Sequence, residues 1–276
     1  MEIFGFSVGT FRFGLFASIF LIMAIVETLL PRRERRFSRA RRWTANLGLM
    51  LADFVAVSAV TFVMPVAAIA VALWAQSNGW GLLNLIGLPV WLEWLIAILV
   101  LDWVIWAQHL ATHKIPILWR IHRVHHSDVE MDASTAIRFH PVEIIFSIFV
   151  KSVAIILLGP ATLAVVVFEA LVNGSALFNH ANFNLPQPLD KIVRKLFVTP
   201  DMHRVHHSVY HNETDSNYGF FLSIWDQLFG TYIAQPKDGH DNMVVGLNEW
   251  QDDVSTRWTW AMLLPFKNPP RTKNKD

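Results

Sequence analysis

The sequence predicts an all-α integral membrane protein of about three transmembrane helices plus a helical hairpin, and three observations carry the prediction. Hydrophobic residues make up 53% of the 276 and charged residues 16%, with a mean hydropathy of +0.36, a balance foreign to soluble globules. The apolar residues gather into stretches of about 17 residues or more, the length at which a helix crosses a bilayer. The polar linkers differ in charge, one being dense in arginine and another free of Lys and Arg, which is the asymmetry that orients spans.

The same numbers exclude other classes. A net charge of +1 leaves no field to collect phosphates, so nucleic acid is not an expected partner, and the modest Gly and Pro content speaks against disordered and collagenous chains. The chain has no cysteine, which removes disulfides, thiolate zinc sites, iron–sulfur clusters and Cys nucleophiles. Any metal must be held by His, Asp or Glu.

Taken in order, Phe13 to Leu30 is apolar apart from Glu27 and reads as a first span, extendable toward Ile3 with Arg12 snorkelling. It is too long for a signal peptide and lacks a small-residue cleavage site. From Arg32 to Arg42 seven arginines face the single acid Glu34, which predicts a solvated linker on the cytoplasmic side. A second apolar run, Leu47 to Trp74, is interrupted by Asp53 and Pro65, so that span is tilted or kinked. A third runs from Trp91 through Trp106 with Glu93 and Asp102 inside it, and the connection Ala75 to Val90 has no Lys or Arg, placing it on the far side. His109 onward therefore returns to the arginine-rich face, where Lys114, Arg120 and Arg123 follow. Val142 to Leu158 and Ala161 to Phe178, separated by Gly159-Pro160, read as the hairpin. From Asn179 the chain turns polar and ends with Arg271, Lys273 and Lys275, while Trp43, Trp74, Trp80 and Trp91 suit an aromatic belt. The reading is a single membrane-embedded domain. Its N-terminal transmembrane helices occupy 1–106, a His-box region with hairpin 142–178 occupies 107–235, and a polar tail occupies 236–276.

Eight of the twelve histidines fall in three windows, His109-x-x-x-His113, His122-x-x-His125-His126 and His203-x-x-His206-His207, and the hexapeptide His-Arg-Val-His-His-Ser occurs at both 122–127 and 203–208. On a helix, positions i, i+3 and i+4 share one face about 5–6 Å apart, so each window can aim all its imidazoles into one pocket. A single ion is saturated by about four to six ligands, so eight ask for two metals, in a His-rich dimetal cap on the cytoplasmic face. The competing reading is a satisfied polar patch, in which every ring nitrogen of every imidazole would need a partner. Asp102 shares a helical stripe with His109 and His113, but two turns is about 10.5 Å of rise, so it is expected to hydrogen-bond in support of the site rather than to ligate.

The match to known chemistry extends beyond the boxes. Leu118-Trp-Arg-Ile-His-Arg-Val-His-His-Ser, Arg138-Phe-His-Pro, Asn179-His-Ala-Asn, Thr199-Pro-Asp-Met-His-Arg-Val-His-His-Ser, Asp215-Ser-Asn-Tyr-Gly and Trp225-Asp-Gln-Leu-Phe-Gly-Thr-Tyr together resemble the sterol desaturase and fatty acid hydroxylase superfamily. Its members are membrane oxidoreductases with a His-rich centre, generally taken as di-iron, that use O2 on lipids. The resemblance implies that His109, His113, His122, His125, His126, His203, His206 and His207 are metal ligands and that His180 is a ninth. More His-rich members carry a further His near His180; here Asn184 stands four residues on, leaving a water or an open position. His140 is expected to be structural or to support a ligand from behind. Asp215, Asn217 and Tyr218 are candidate hydrogen-bond partners of the second box, with plain loop structure as the alternative. Glu93, Glu143 and Glu169 read as interfacial or bundle-facing, and His211 and His240 as surface-loop residues.

The implied activity is an O2-dependent, di-iron lipid hydroxylase or desaturase acting on a sterol, fatty acyl or related lipid. Its cofactors would be two Fe ions, with Zn as a substitute in preparations, and O2 would be its co-substrate. Neutral imidazole suits iron, zinc and copper alike, so the resemblance alone selects iron. No G-x-G-x-x-G, Walker loop or H-E-x-x-H is present, so electrons would come from a separate donor such as a cytochrome or ferredoxin system. A metal-dependent membrane hydrolase is the alternative, weakened by the lack of carboxylates within the boxes; a metal transporter is a third, weakened by boxes lying at the ends of the apolar runs. A bacterial inner membrane is the favoured location, with the endoplasmic reticulum as the alternative.

Overall fold

The computed structural model describes residues 2–64 and 67–269. The Pro65 break and the terminal Arg271, Lys273 and Lys275 lie outside the described residues.

A two-residue hairpin, β1 (Glu2–Ile3) with β2 (Phe6–Ser7), precedes helix α1 (Val8–Leu29). Ser7 caps that helix by accepting from Thr10 N at 3.1 Å, a start signal of the usual chemistry. The string Gly5-Phe6-Ser7-Val8-Gly9 has G-x-S-x-G spacing, but its serine hydroxyl is engaged with Thr10 as the cap of this exposed helix start. After the arginine segment come α2 (Arg39–Val63), α3 (Ala68–Ser77), α4 (Leu82–Ile86) and α5 (Val90–Lys114). The apolar run of α5 thus continues as helix for two further turns beyond Trp106, which delivers His109 and His113. Ile115 is extended because Pro116 follows it, so α5 must end there, and Pro116 opens α6 (Pro116–His126) at the position where proline is tolerated. The hairpin forms as α7 (Pro141–Leu158) and α8 (Thr162–His180).

Gly159 closes that hairpin at φ 66° and faces Gly81 at φ 100°. A Cβ on Gly159 would lie 2.4 Å from Trp80 O, and one on Gly81 would lie 2.2 Å from Gly159 N, so both positions require glycine for backbone-to-backbone approach. Glu93 accepts from Ala161 N at 2.8 Å and satisfies an orphan donor at the start of α8.

Short helices complete the chain: α9 (Gln187–Val193), α10 (Pro200–His206), α11 (His211–Thr214), α12 (Ile224–Leu228), α13 (Gly239–Asn242) and α14 (Trp258–Leu263). Among the described residues, five stretches are long and apolar enough to cross a membrane: Val8–Leu29, the stretch Arg39–Ile86 that carries α2 to α4, Val90–Lys114, Pro141–Leu158 and Thr162–His180. Large side chains such as Phe54, Phe62, Leu85 and Phe149 project outward from them, the surface a hydrocarbon solvent accepts. Inside, Ala72, Ala97, Leu101, Ile155, Val165 and Phe168 form one core. A second core sits under the polar end, where Leu49 and Val124 meet Leu247, Ala261 and Leu264. The segment after 236 is therefore packed against α2 and α6, with Trp258 over Gly48.

The arginine segment departs from the solvated linker expected of it. Arg42 is buried, its Nε and one terminal nitrogen each 2.8 Å from Asp128 oxygens and the other 2.6 Å from Asp132. Arg39 reaches the buried Glu27 at 2.6 Å, and Arg32 N donates to Asn182 O at 3.1 Å. Charge density alone does not distinguish arginines in water from arginines met by buried acids arriving from far along the chain. These contacts put the segment and the His boxes at one end of the helix bundle.

Candidate metal centre

Four helices supply nine histidines to one buried cluster. The last turns of α5 bring His109 and His113, α6 brings His122, His125 and His126, α8 ends on His180, and α10 brings His203 and His206 with His207 just past its end. Thr199 caps α10, accepting from Met202 N, and Pro200 occupies its first turn. The nine fall into two groups: His109, His113, His122, His126 and His206, and His125, His180, His203 and His207. Within each group, one nitrogen per ring lies within 4.8 Å of the others.

The division overturns the expectation that each window aims into one pocket. His122 and His126 join the first group and His125 the second, whereas His203 and His207 join the second and His206 the first. In each hexapeptide the i and i+4 rings stay together and the i+3 ring crosses over. The i to i+3 and i to i+4 steps rotate about 300° and 400° around the axis, so those two rings flank the first on opposite sides. A cluster wedged between two such helices divides them.

Hydrogen bonds from behind fix the rings. Nδ1 lies 2.7 Å from Tyr218 O in His109, 2.7 Å from Ala176 O in His180, 2.7 Å from Ser216 O in His206 and 2.6 Å from Glu143 Oε1 in His122. Each acceptor holds the proton on Nδ1 and turns Nε2 inward. Nε2 atoms then converge: His109 and His122 at 3.1 Å, His180 and His125 at 3.1 Å, His203 and His180 at 3.0 Å. Both ring nitrogens of His113, His126 and His207 and Nε2 of His206 are buried without a hydrogen-bond partner. Orphaned polar atoms of this density are costly, and a cation in each group would take one nitrogen of every ring, so the donor set fits two metals. Burial, reinforced by neighbouring imidazoles, holds His125, His126, His203 and His207 well below the usual histidine range, and burial takes His206 down to about 3. Neutral imidazole is the ligating form.

A buried polar frame surrounds the cluster. Arg138 donates to Val124 O, Ser127 Oγ, Asn46 Oδ1 and Ser255 O at 2.7–2.9 Å, joining α2, α6 and the C-terminal segment. Asp128 is pulled down to about 2, burial being outweighed by Arg42 and further lowered by Arg138 and Thr135. Phe139 stacks on His125 at 4.6 Å and 5°. Asp226 accepts from Tyr218 N, Gly219 N and Trp106 Nε1 at 2.8–3.0 Å, which seats the loop whose carbonyl holds His109.

The remaining candidates separate clearly. Asp102 accepts from Trp225 Nε1 at 2.8 Å and Leu222 N at 3.3 Å, bracing the 218–226 loop rather than an imidazole. Asn217, at φ 49°, donates to Met202 O and Ile233 O, tying α10 to the irregular segment after α12. The Tyr218 ring packs edge-on against His109, His113 and His206. Asp215 pairs with Lys114 at 2.6 Å and lies 3.4 Å from His113 Nδ1. His140 caps α7, its Nδ1 accepting from Val142 N at 3.2 Å, and belongs to neither group. Asn184 is exposed and only its backbone N–H engages, with Leu30 O; α8 ends at His180, so four residues on is no longer the same helical face. His211 is exposed as expected, but His240 is buried, 3.7 Å from Asp201, because α13 folds onto α10. Glu143, expected to be interfacial or bundle-facing, supports His122 instead; its place in the first turn after His140, where an apolar arm begins, is the signal for it.

Beside the cluster a cavity of about 160 Å3 runs between α5, α7 and α8, with His109, His122 and Glu143 in its wall. A wider apolar groove of about 560 Å3 opens between α1 and α2, and the two share Ala136, Phe139, Ile144, Asn173 and Ala176.

Comparison with known proteins gives a consistent set. The fatty acid hydroxylase family profile matches residues 94–231. An ornithine lipid hydroxylase of Rhizobium tropici is 31% identical over 150 residues, 54% of this chain and 44% of that protein. Human alkylglycerol monooxygenase is 32% identical over 154 residues, 56% and 33% of the two chains, and human cholesterol 25-hydroxylase 27% over 139 residues, 50% of each. The similarity spans half or less of these relatives' length. No solved structure gives a significant match.

Proposed function

The chain belongs to the fatty acid hydroxylase family, and on that premise we propose that it is a membrane-bound lipid hydroxylase that uses O2 and a pair of iron ions held by the nine histidines. The observation that carries the proposal is the convergence of those rings into two buried groups, in which His113, His126, His206 and His207 hold ring nitrogens without a hydrogen-bond partner. Iron bound there would supply the O2 activation and oxidising power for C–H cleavage that no side chain possesses. The protein's own part is to hold neutral imidazoles at fixed angles through Tyr218 O, Ala176 O, Ser216 O and Glu143, and to exclude bulk water by burial. The apolar groove between α1 and α2 accepts a lipid chain laterally from the bilayer and leads it to the wall formed by His109 and His122. Overall, a C–H bond becomes C–OH while O2 takes two electrons and two protons to yield one water, the electrons coming from a separate cytochrome or ferredoxin type of donor. Both groups consist of histidine alone among the described residues, which favours this reading over a two-metal hydrolase.

The test is lipid extraction from cells with and without the protein, under air and under 18O2. A lipid gaining one 18O atom only with the intact protein supports hydroxylation; loss of two hydrogens without oxygen gain indicates desaturation, and no change in any lipid class overturns both.

A further inference from the structure

The cavity that reaches the His109 and His122 wall is not apolar throughout. At its other end lie Lys151 and Glu169, with Nζ 3.1 Å from Oε1, and Arg12 of α1 closes on the other oxygen at 2.7 Å. Two cations and one carboxylate leave one positive charge in the apolar half of the hairpin. A charge there is expensive unless paired, and it marks function by default. Gln108, in the same cavity, has a buried Oε1 with no partner. The Arg12–Glu169 contact explains how α1 is held to the hairpin, but a neutral pair would do that without an excess charge, and it leaves Lys151 facing the cavity.

We propose that Lys151, positioned by Glu169 and Arg12, binds the carboxylate of a single-chain lipid and thereby decides which carbon is presented to the histidine wall. The inference rests on the lipid-oxidising reading above for what happens at that wall. About 160 Å3 takes a compact carboxylate and one chain, not a substituted phosphodiester headgroup. Glu143, which touches His122, and Lys151 are eight residues apart on α7, an axial rise of about 12 Å. A carboxylate at Lys151 therefore sets the reacting carbon in mid-chain, well away from the acid group, while the rest of the chain lies in the groove between α1 and α2. The carboxylate can belong to a free fatty acid or to an N-acyl amino acid, and the two are separable experimentally.

The experiment measures calorimetric binding of palmitate, N-palmitoylglycine and methyl palmitate to the purified full chain in detergent, alongside Lys151→Met and Lys151→Arg proteins with melting temperature and metal content as controls. The wild type should bind one of the acids about tenfold more tightly than the ester, the one preferred identifying the source of the carboxylate. Lys151→Arg should keep that preference and Lys151→Met should lose it. Equal binding of acids and ester by the wild type, or a preference surviving in Lys151→Met, overturns the site. Should Lys151→Met not fold, the wild-type and Lys151→Arg comparisons decide the matter. A wild type that prefers an acid yet oxidises no lipid overturns the lipid-oxidising reading and leaves the site standing; one that oxidises lipids without the preference does the reverse.

Discussion

His122 and His203 hold the same place in the two copies of His-Arg-Val-His-His-Ser, and they face opposite halves of the cluster, His122 in the group of five and His203 in the group of four. The repeat is thus read twice with its halves exchanged, and equivalent positions in the two copies differ in how much their loss should matter.

That difference is measurable. A metal with five available imidazoles retains four when one is lost, whereas a metal with four falls to three. On the proposed dimetal reading, His125→Ala and His203→Ala should therefore lower metal content toward one ion per chain, while His126→Ala should retain more of its ion. The metal-to-protein ratio of each purified variant checks this, and equal losses from both groups would contradict the five-and-four division.

Glu143 tests orientation of a ring without removing it. Its carboxylate receives the His122 Nδ1 proton at 2.6 Å. Glu143→Gln keeps the shape and removes the charge that raises the ring's basicity, so metal affinity or turnover should fall about 10–100-fold with the protein still folded. Unchanged affinity and turnover would make Glu143 a bystander.

How much of this was legible in the sequence follows from the range of each signal. The apolar runs and the Gly159 turn are local; the hairpin arms emerge at nearly the expected residues, whereas the helices built on the second and third runs reach eight residues further, to Arg39 and Lys114. Eight of the nine histidines were visible as spacing, because helical repeats place them without knowledge of the rest of the chain, whereas His180 stands alone and was signalled only by the resemblance of Asn179-His-Ala-Asn. Their division between two groups was not, since it depends on how α6 and α10 pack across the cluster. Long-range pairings were also hidden: Arg42 meets Asp128 86 residues on, and nothing local separates that arginine from solvated neighbours. Asn184 misled for the opposite reason, since its spacing from His180 implies a helix that has already ended.

The Arg42 clamp gives a stability prediction. Arg42 is buried against Asp128 and Asp132, and removing one partner of a buried pair costs about 3–5 kcal/mol, so Arg42→Met should lower the melting temperature markedly. Asp128 sits at about 2 against an ordinary 3.8. Its folded value is depressed, so its contribution, about 2 kcal/mol, is complete above pH 3.8 and is lost as pH falls toward 2. Melting curves across that window should be steeper for the wild type than for Asp128→Asn; parallel curves would remove Asp128 from the clamp's energetics.

Topology is testable by cysteine labelling, since the chain has no cysteine of its own. Ser127 and Ser208, although inside the boxes, are buried and would resist reagent from either side. His211 and Asn78 are exposed and stand at opposite ends of the bundle. With the arginine segment and boxes in the cytoplasm, as the charge asymmetry favours, a membrane-impermeant maleimide on intact cells should label Asn78→Cys and spare His211→Cys until the cells are opened. The reverse pattern would invert the orientation.

The two histidines at the ends of the hairpin make the last prediction, because they sit at the two points where it meets the polar cap and do different work there. His180 turns Nε2 onto His125 and His203 at 3.1 and 3.0 Å, so it closes the group of four and ties α8 to α6 and α10. His140 points its Nδ1 at Val142 N at 3.2 Å, so it closes the first turn of α7. Removing a cap costs about 1 kcal/mol and another capping side chain restores it. His140→Ala should therefore keep its metal with a slightly lower melting temperature, and His140→Asn should recover the loss. His180→Ala should lose metal from the group of four, and asparagine should not rescue it, since its shorter amide cannot reach the point where the imidazole nitrogens meet. Metal loss in His140→Ala with full retention in His180→Ala would move the ninth ligand from His180 to His140, at the opposite end of the hairpin.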